Sequence, residues 1–245
     1  MRIPRIFCNA PLASGQQVLL DEQASRHLQR VLRLKRGDPI VLFDGSGRDF
    51  EARIGSGQKP ALTAEVGDAL RQETPPTLRI HLAIGVSRGE RMDFALQKAV
   101  ELGVWEIQPL FTERSVVRLS GERLASRQGH WQGVVQHACG QSGRSLIPAL
   151  QNARPFSDWL SAFNGRGILL DHRAKSGLGA IDHPGTSVTL LVGPEGGLSI
   201  TEREAAGSKQ FQAVRLGPRI LRTETAPLAA ISALQTLWGD FNGSI

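Results

Sequence analysis

The chain has 245 residues, 40% hydrophobic and 21% charged, which suits one or two folded domains and excludes disorder throughout. It carries 29 basic and 23 acidic residues, net +6, and only five of the basic residues are lysines; the other 24 are arginines, whose planar fork suits phosphate. On composition alone, a polyanionic partner and an ordinary arginine-rich surface stand level.

No apolar run reaches the roughly 18–20 residues of a membrane helix, and the stretch Met1–Phe7 lacks the apolar region of a signal peptide. No membrane partner is expected. Cys8 and Cys139 have no second ligand at metal spacing, so neither a metal site nor a disulfide is expected, and a cytoplasmic setting is.

In chain order, Val18–Leu20, Ile40–Phe43, Asp49–Ile54 and Leu62–Val66 read as short strands, with Asp44–Gly47 as a hairpin turn. One helix, from about 22 to 34, interrupts them. This predicts a small β-barrel or meander over 1–73, ending at the Pro75-Pro76 linker. From 74 to 245 the pattern changes. Strands over Arg79–Ile84, Val104–Leu110, Gly167–Asp171, Val188–Val192 and Phe211–Leu216 alternate with helices over Arg91–Leu102, Leu124–Cys139, Phe156–Phe163 and Thr201–Gly207. That alternation predicts an α/β domain with a parallel sheet. A last helix is expected with Thr225 as N-cap and Pro227 in its first turn.

In open α/β sheets ligands bind beyond the carboxyl ends of the strands. Three such exits carry unusual residues: Leu169–Arg173, Gly193–Gly197 and Leu216–Ala226. The glycine run is neither a dinucleotide fingerprint nor a P-loop, and read alone it is as much a tight turn as a ligand cradle. The sequence Gly140–Arg144 misses the spacing of a hydrolase elbow. Arg222 and Glu224 flanking Thr223 fit either an ion pair or a reactive site.

Gly193-Pro194-Glu195-Gly196-Gly197 together with Leu216-Gly217-Pro218-Arg219-Ile220-Leu221-Arg222-Thr223-Glu224-Thr225-Ala226 resembles the signature of the 16S ribosomal RNA uridine-N3 methyltransferases, a family of the SPOUT class of knotted enzymes. Arg2–Phe7, His27–Arg33, Leu42–Gly45, Arg91–Phe94, Gln97–Gly103, Thr112–Ser115 and Gln141–Arg144 extend the resemblance over nearly the whole chain. It implies an N-terminal PUA-like β-barrel for RNA and a C-terminal trefoil-knotted α/β domain. It also implies a homodimer through the knotted domain, with the Trp238 helix as a candidate for that interface. The expected substrate is one uridine of 16S rRNA within the small subunit. The expected cofactor is S-adenosylmethionine, held by Leu170, Gly193, Pro194, Glu195, Gly196, Gly197, Leu216, Gly217, Ile220, Leu221, Arg222 and Thr223.

The N3–H of uracil is a weak acid, so its nitrogen attacks a methyl donor only as the proton leaves. Arg222 is assigned to the developing anion and Glu224 to the proton. Glu195 is the competing carboxylate, with contact to the cofactor or partner subunit as its alternative role. For RNA the expectation rests on counting. Residues 1–36 hold seven basic residues against Asp21 and Glu22, and Arg26, Arg30 and Arg33 recur at the spacing of one helix face. Arg2, Arg5, Arg26, Arg30, Arg33 and Lys35 are therefore read as RNA contacts, and Arg114 and Arg144 as extensions toward the reacting site. Of the histidines, His172 alone follows a strand exit.

Overall fold

A computed structural model of the protein describes residues 3–56 and 61–243, which form two compact units. One is Met1–Pro75 with Gln136–Ile147; the other is Pro76–Val135 with Pro148–Ile245. Arg2 lies outside the described residues.

In the first unit, β1 (Arg5–Phe7), β2 (Gln17–Leu19), β3 (Pro39–Phe43), β4 (Arg48–Ile54) and β5 (Thr63–Gln72) form one sheet in the order β1-β3-β4-β5-β2. The β1–β3 pair is parallel and the others antiparallel. Among the described residues no pairing joins β1 to β2, so the ladder is an open path. Its inward residues, among them Ile6, Leu20, Ile40, Leu42, Phe50, Ile54 and Val66, make the core.

Helix α1 (Glu22–Arg26) starts where Asp21 accepts the amide of Ala24 at 2.7 Å. It then widens into a π-helical turn, His27–Val31, with Leu28 fully buried beneath it. The single helix expected to residue 34 is thereby corrected. Arg33 lies beyond its end at φ +55°. The wider turn also shifts each following side chain around the axis, so Arg26, Arg30 and Arg33 do not share an α-helical face.

Arg5 is not an RNA contact. Its guanidinium meets Asp49 at 2.6 Å, the Ser145 hydroxyl at 2.9 Å and the Cys139 carbonyl at 3.0 Å, and lies 4.7 Å over the Phe43 ring. The Arg144 side chain is also largely enclosed, 3.8 Å from Glu73. These bonds explain why 136–147 belongs to the first unit: Arg5, Asp49, Arg71 and Glu73 all bond to that segment. Nothing local in the sequence announces that membership.

Cys8 and Cys139 are buried free thiols in this unit. Burial pushes the Cys139 thiol up to about 12 and raises that of Cys8. Neither is expected to react with a thiol reagent until the protein unfolds, which absorbance titration with and without denaturant checks.

The second unit runs β6 (Arg79–Gly85), α2 (Gly89–Glu101), β7 (Glu106–Phe111), α3 (Gly121–Ser142), β8 (Ala149–Leu150), β9 (Arg154–Pro155), α4 (Phe156–Ser161), β10 (Gly167–Leu170), β11 (Ser187–Val192), α5 (Ile200–Ser208), β12 (Phe211–Val214) and α6 (Thr225–Trp238). The end of α3, from Gln136, is counted with the first unit. Every pair in this sheet is parallel, in the order β12-β10-β11-β6-β7-β8, with β9 also on β7. Strands covered on both faces are continuously apolar, which is why β6 and β11 were legible. One face, with Ala83, Leu169, Leu191 and Phe211, packs on Phe156, Trp159 and Leu160 of α4.

From β6 the chain moves outward to β7 and β8, then returns to the far side of β6 to lay down β10. Only afterwards does it insert β11 between β10 and β6. The order in which strands are added thus reverses at β6/β11, the kind of switch point near which ligands bind in such sheets. No helix among the described residues is long and apolar enough to cross a membrane.

Candidate active site

The carboxyl ends of β10, β11 and β12 open side by side into one cleft. Its walls include Leu170 at the end of β10 with Asp171 and His172 after it, and Val192 at the end of β11 with Gly193 through Leu198 after it. Arg215, Leu216, Arg219, Ile220, Leu221 and Thr223 follow from β12, with Ala226 at the start of α6. All the residues read from the sequence as cofactor-binding line it except Gly217 and Arg222. His172 lines it too.

The glycine loop is shaped by contacts that admit no side chain. A Cβ on Gly193 would lie 2.8 Å from the Leu198 amide nitrogen and 3.0 Å from the Gly197 carbonyl carbon. One on Gly85, at the end of β6, would lie 2.5 Å from the Pro194 nitrogen, so the two strand exits touch. Gly197 takes φ +66°, the left-handed region, and closes the turn with its amide on the Pro194 carbonyl at 2.8 Å. Helix α5 then starts at once. Ser199 and Glu202 form a reciprocal capping box, and the other Glu202 oxygen accepts the Glu113 amide at 2.8 Å.

Glu195 is held and not free. One carboxylate oxygen accepts the Arg88 amide at 3.0 Å and faces the Arg91 guanidinium at 3.6 Å; the other is buried without a hydrogen bond. Burial works to raise this carboxyl. The hydrogen bond from the Arg88 amide, with the nearby Ser87 hydroxyl, its own amide and the Arg91 charge, outweighs that and holds it below its ordinary value. A carboxylate stabilised in its charged form is a weaker proton acceptor, so its geometry suits latching the glycine loop to the start of α2.

After β12 the chain turns at Gly217, φ +75°, and runs exposed through Arg219 and Ile220. Arg222 is exposed, and its carbonyl accepts the amides of Thr225 and Ala226 at 2.9 Å each. Glu224 is half-buried with one carboxylate oxygen enclosed and without a hydrogen bond. The expected N-cap at Thr225 is corrected. Glu224 already has helical backbone angles, φ −75° and ψ −27°, so Thr225 is the first helical residue and no side chain caps the helix.

Sequence reasoning missed Asp171 and Arg203. Asp171 accepts the Arg173 amide at 3.0 Å and the Arg203 guanidinium at 3.3 Å and faces the Arg173 guanidinium at 3.6 Å, so its carboxylate is held in place in the cleft wall with its charge paired. The signal for Asp171 was its place at a strand exit; Arg203 sits within α5 and gave none. Of the proposed RNA contacts, Arg26, Arg30, Arg33 and Lys35 are exposed on the first unit. Arg114 is exposed on the second and donates to the Gly196 carbonyl at 3.2 Å.

The chain matches two family models: an RNA methyltransferase domain over residues 73–235 and an RNA methyltransferase PUA domain over 20–67. It is 32% identical over 243 residues to the ribosomal RNA small subunit methyltransferase E of Buchnera aphidicola (subspecies Schizaphis graminum), covering 98% of this chain and 99% of the relative. A protein of that name from Bacillus subtilis is 29% identical over 85% of each chain. Among solved structures, that of the Neisseria gonorrhoeae methyltransferase E, bound to S-adenosyl methionine, superposes with a TM-score of 0.92 at 44% identity, covering 98% of this chain and 100% of the other. A Legionella pneumophila protein described as a methyltransferase, solved with its cofactor SAM, gives 0.93 at 34% identity over 98% and 100% of the two chains. With matches of this extent to both of its regions, the chain belongs to the ribosomal RNA small subunit methyltransferase E family.

Proposed function

We propose that this protein transfers a methyl group from S-adenosylmethionine to N3 of one uridine of 16S rRNA, acting in the cytoplasm on the assembled small subunit. The observation that carries the reading is the convergence of three adjacent strand exits, two of them turning at left-handed glycines, on one cleft beside the switch point of a parallel sheet. The cleft fits such a cofactor: the glycines at 193 and 85 let the loop fold tightly on itself, where a Cβ would meet its own backbone, and Gly193, Gly196 and Gly197 bring main chain to the cleft wall with no side chain beyond it.

Leu170, Gly193, Pro194, Gly196, Gly197, Leu216, Ile220, Leu221 and Thr223 would hold the cofactor, with Gly217 turning the chain behind them, and Asp171 offers a carboxylate to hydroxyl groups. The bound sulfonium would supply an electrophilic methyl. The protein's part is to orient the uracil and to help the N3 proton leave. Arg222, exposed at the rim, would neutralise charge gathering on the ring oxygens, and the unpaired oxygen of Glu224 would accept the proton. N3 pairs in a duplex, so the target base must be unpaired or drawn out first.

The late insertion of β11, and the return of the chain after β12 to α6, whose Gln235 bonds the Leu102 carbonyl at the end of α2, support a trefoil knot around the cleft. A homodimer through this unit is supported by apolar side chains left exposed at Ile220, Leu237 and Phe241. Trp238 itself is half-buried against His183, so its neighbours fit that role better.

Mass spectrometry of 16S rRNA from a deletion strain should show one N3-methyluridine lost and restored by the gene; an unchanged rRNA would end the proposal. Calorimetry should show S-adenosylmethionine bound and ATP not. Glu224→Gln is expected to slow single-turnover methylation by about 10²-fold or more, the range of general base catalysis. Glu195→Gln should weaken cofactor binding more than it slows the chemical step. Wild-type single-turnover rates in both variants would eliminate a carboxylate base.

A further inference from the structure

We propose that the turn 30–37 of the first unit is a preformed phosphate clamp for small-subunit rRNA, with Arg33 its central contact. This rests on the reading above that the protein binds that RNA. The backbone of the turn is fixed from several sides. Leu34 donates to the Leu28 carbonyl at 3.0 Å and Gly37 to the Ile54 carbonyl at 2.7 Å. The Lys35 amide donates to the Asp38 carboxylate at 2.7 Å, and Ile54 donates to the Asp38 carbonyl at 3.1 Å. Leu28 is buried and Leu34 packs on the core, so both ends of the turn are anchored.

The side chains are in the opposite condition. Arg30, Arg33, Lys35 and Arg36 are exposed, and among the described residues none has a side-chain hydrogen bond or ion pair. The unit's other described arginines are engaged: Arg26 with Glu22, Arg48 with Gln72, Arg53 with the Gly37 carbonyl, Arg144 with Glu73, and Arg5 and Arg71 with Asp49. Four uncommitted cations within seven residues, on a fixed backbone, suit a run of phosphates, because little side-chain partnering is surrendered on binding.

Arg33 sharpens the case. At φ +55°, with the bond from Leu34 back to Leu28 closing around it, Arg33 occupies the position after a helix end where glycine or asparagine is usual. An arginine there gives up the easier backbone and gains a cation in a set place.

The test is binding of the full chain to purified small ribosomal subunits across a potassium chloride series. Arg33→Asn keeps a residue that tolerates the left-handed backbone and removes the charge. It should bind about tenfold more weakly at low salt, with the slope of log K against log salt reduced by about 1, and with an unchanged or higher melting temperature. Arg33→Lys should keep the wild-type slope. Wild-type affinity and slope in Arg33→Asn, or equal losses in both variants, would overturn the clamp while leaving the functional reading in place. A wild-type protein that does not bind the subunit overturns both.

Discussion

Gly193→Ala should lose at least about a hundredfold in affinity for S-adenosylmethionine while still folding. The added methyl would stand 2.8 Å from the Leu198 nitrogen and 3.0 Å and 3.1 Å from the Gly197 carbonyl carbon and Cα, all backbone atoms. No side-chain rotation relieves such contacts. Only the backbone can yield, and it must do so against the turn closed through Gly197 to Pro194 and against α5, tied by its capping box and the Glu113–Glu202 bond. Overpacking of this kind costs about 1–3 kcal/mol, less than the roughly 5–15 kcal/mol that holds a domain folded. The protein should therefore survive with a lower melting temperature and a misshapen cleft.

Gly129→Ala provides the contrast. It lies on α3 with nothing within 4 Å of the new Cβ, and alanine there should stabilise by up to about 1 kcal/mol through helix propensity. Calorimetry and thermal melts on the pair separate a cradle from a generic glycine effect. Wild-type cofactor affinity in Gly193→Ala would remove the glycine loop from the binding site.

These contrasts bear on what could be read from the chain alone. Strands β6 and β11 were legible because buried parallel strands are apolar runs, and the cleft followed from the rule that ligands sit at strand exits. Arg5 and Arg33 show where such reading ends. Both are arginines in the basic segment 1–36, yet one is enclosed with Asp49, 44 residues away, and the other stands free on a left-handed turn. Charge is a local property of sequence, but the partner that neutralises it is set by the tertiary fold. The three-residue β1 carries too short a pattern to be seen. The π-helical widening at His27–Val31 has the same apolar and basic residues as an ordinary helix, so the periodicity that predicts a shared arginine face gave no warning.

Arg5→Ala is expected to be the most destabilising single change in the first unit, at about 3–5 kcal/mol, because it strips a buried charge of its partner. Asp49 is 4% exposed and accepts Arg5 at 2.6 Å and Arg71 at 2.7 Å, with a further bond from Ser145. Arg71 is half exposed to solvent, so Arg5 is the partner that shares the interior with Asp49. Burial acts to raise the Asp49 carboxyl, and the bonds from Arg5, Ser145 and Arg71 overcome it, leaving the value depressed. A depressed carboxyl stabilises the fold fully above its unfolded value, about 3.9, and that contribution fades as pH falls through the folded value. Wild type should therefore lose stability steeply just below pH 4, whereas Asp49→Asn, already weakened at neutral pH, should be flatter there. Replacing both partners with apolar side chains, Arg5→Met with Asp49→Leu, leaves no orphaned charge and should cost less than the sum of the single changes. Urea melts of these proteins, together with the single variants Arg5→Met and Asp49→Leu, at pH 7 and at about pH 3 measure this directly. Additive losses with parallel pH profiles would mean that the Arg5–Asp49 pair, for all its burial, does not hold the segment 136–147 to the sheet.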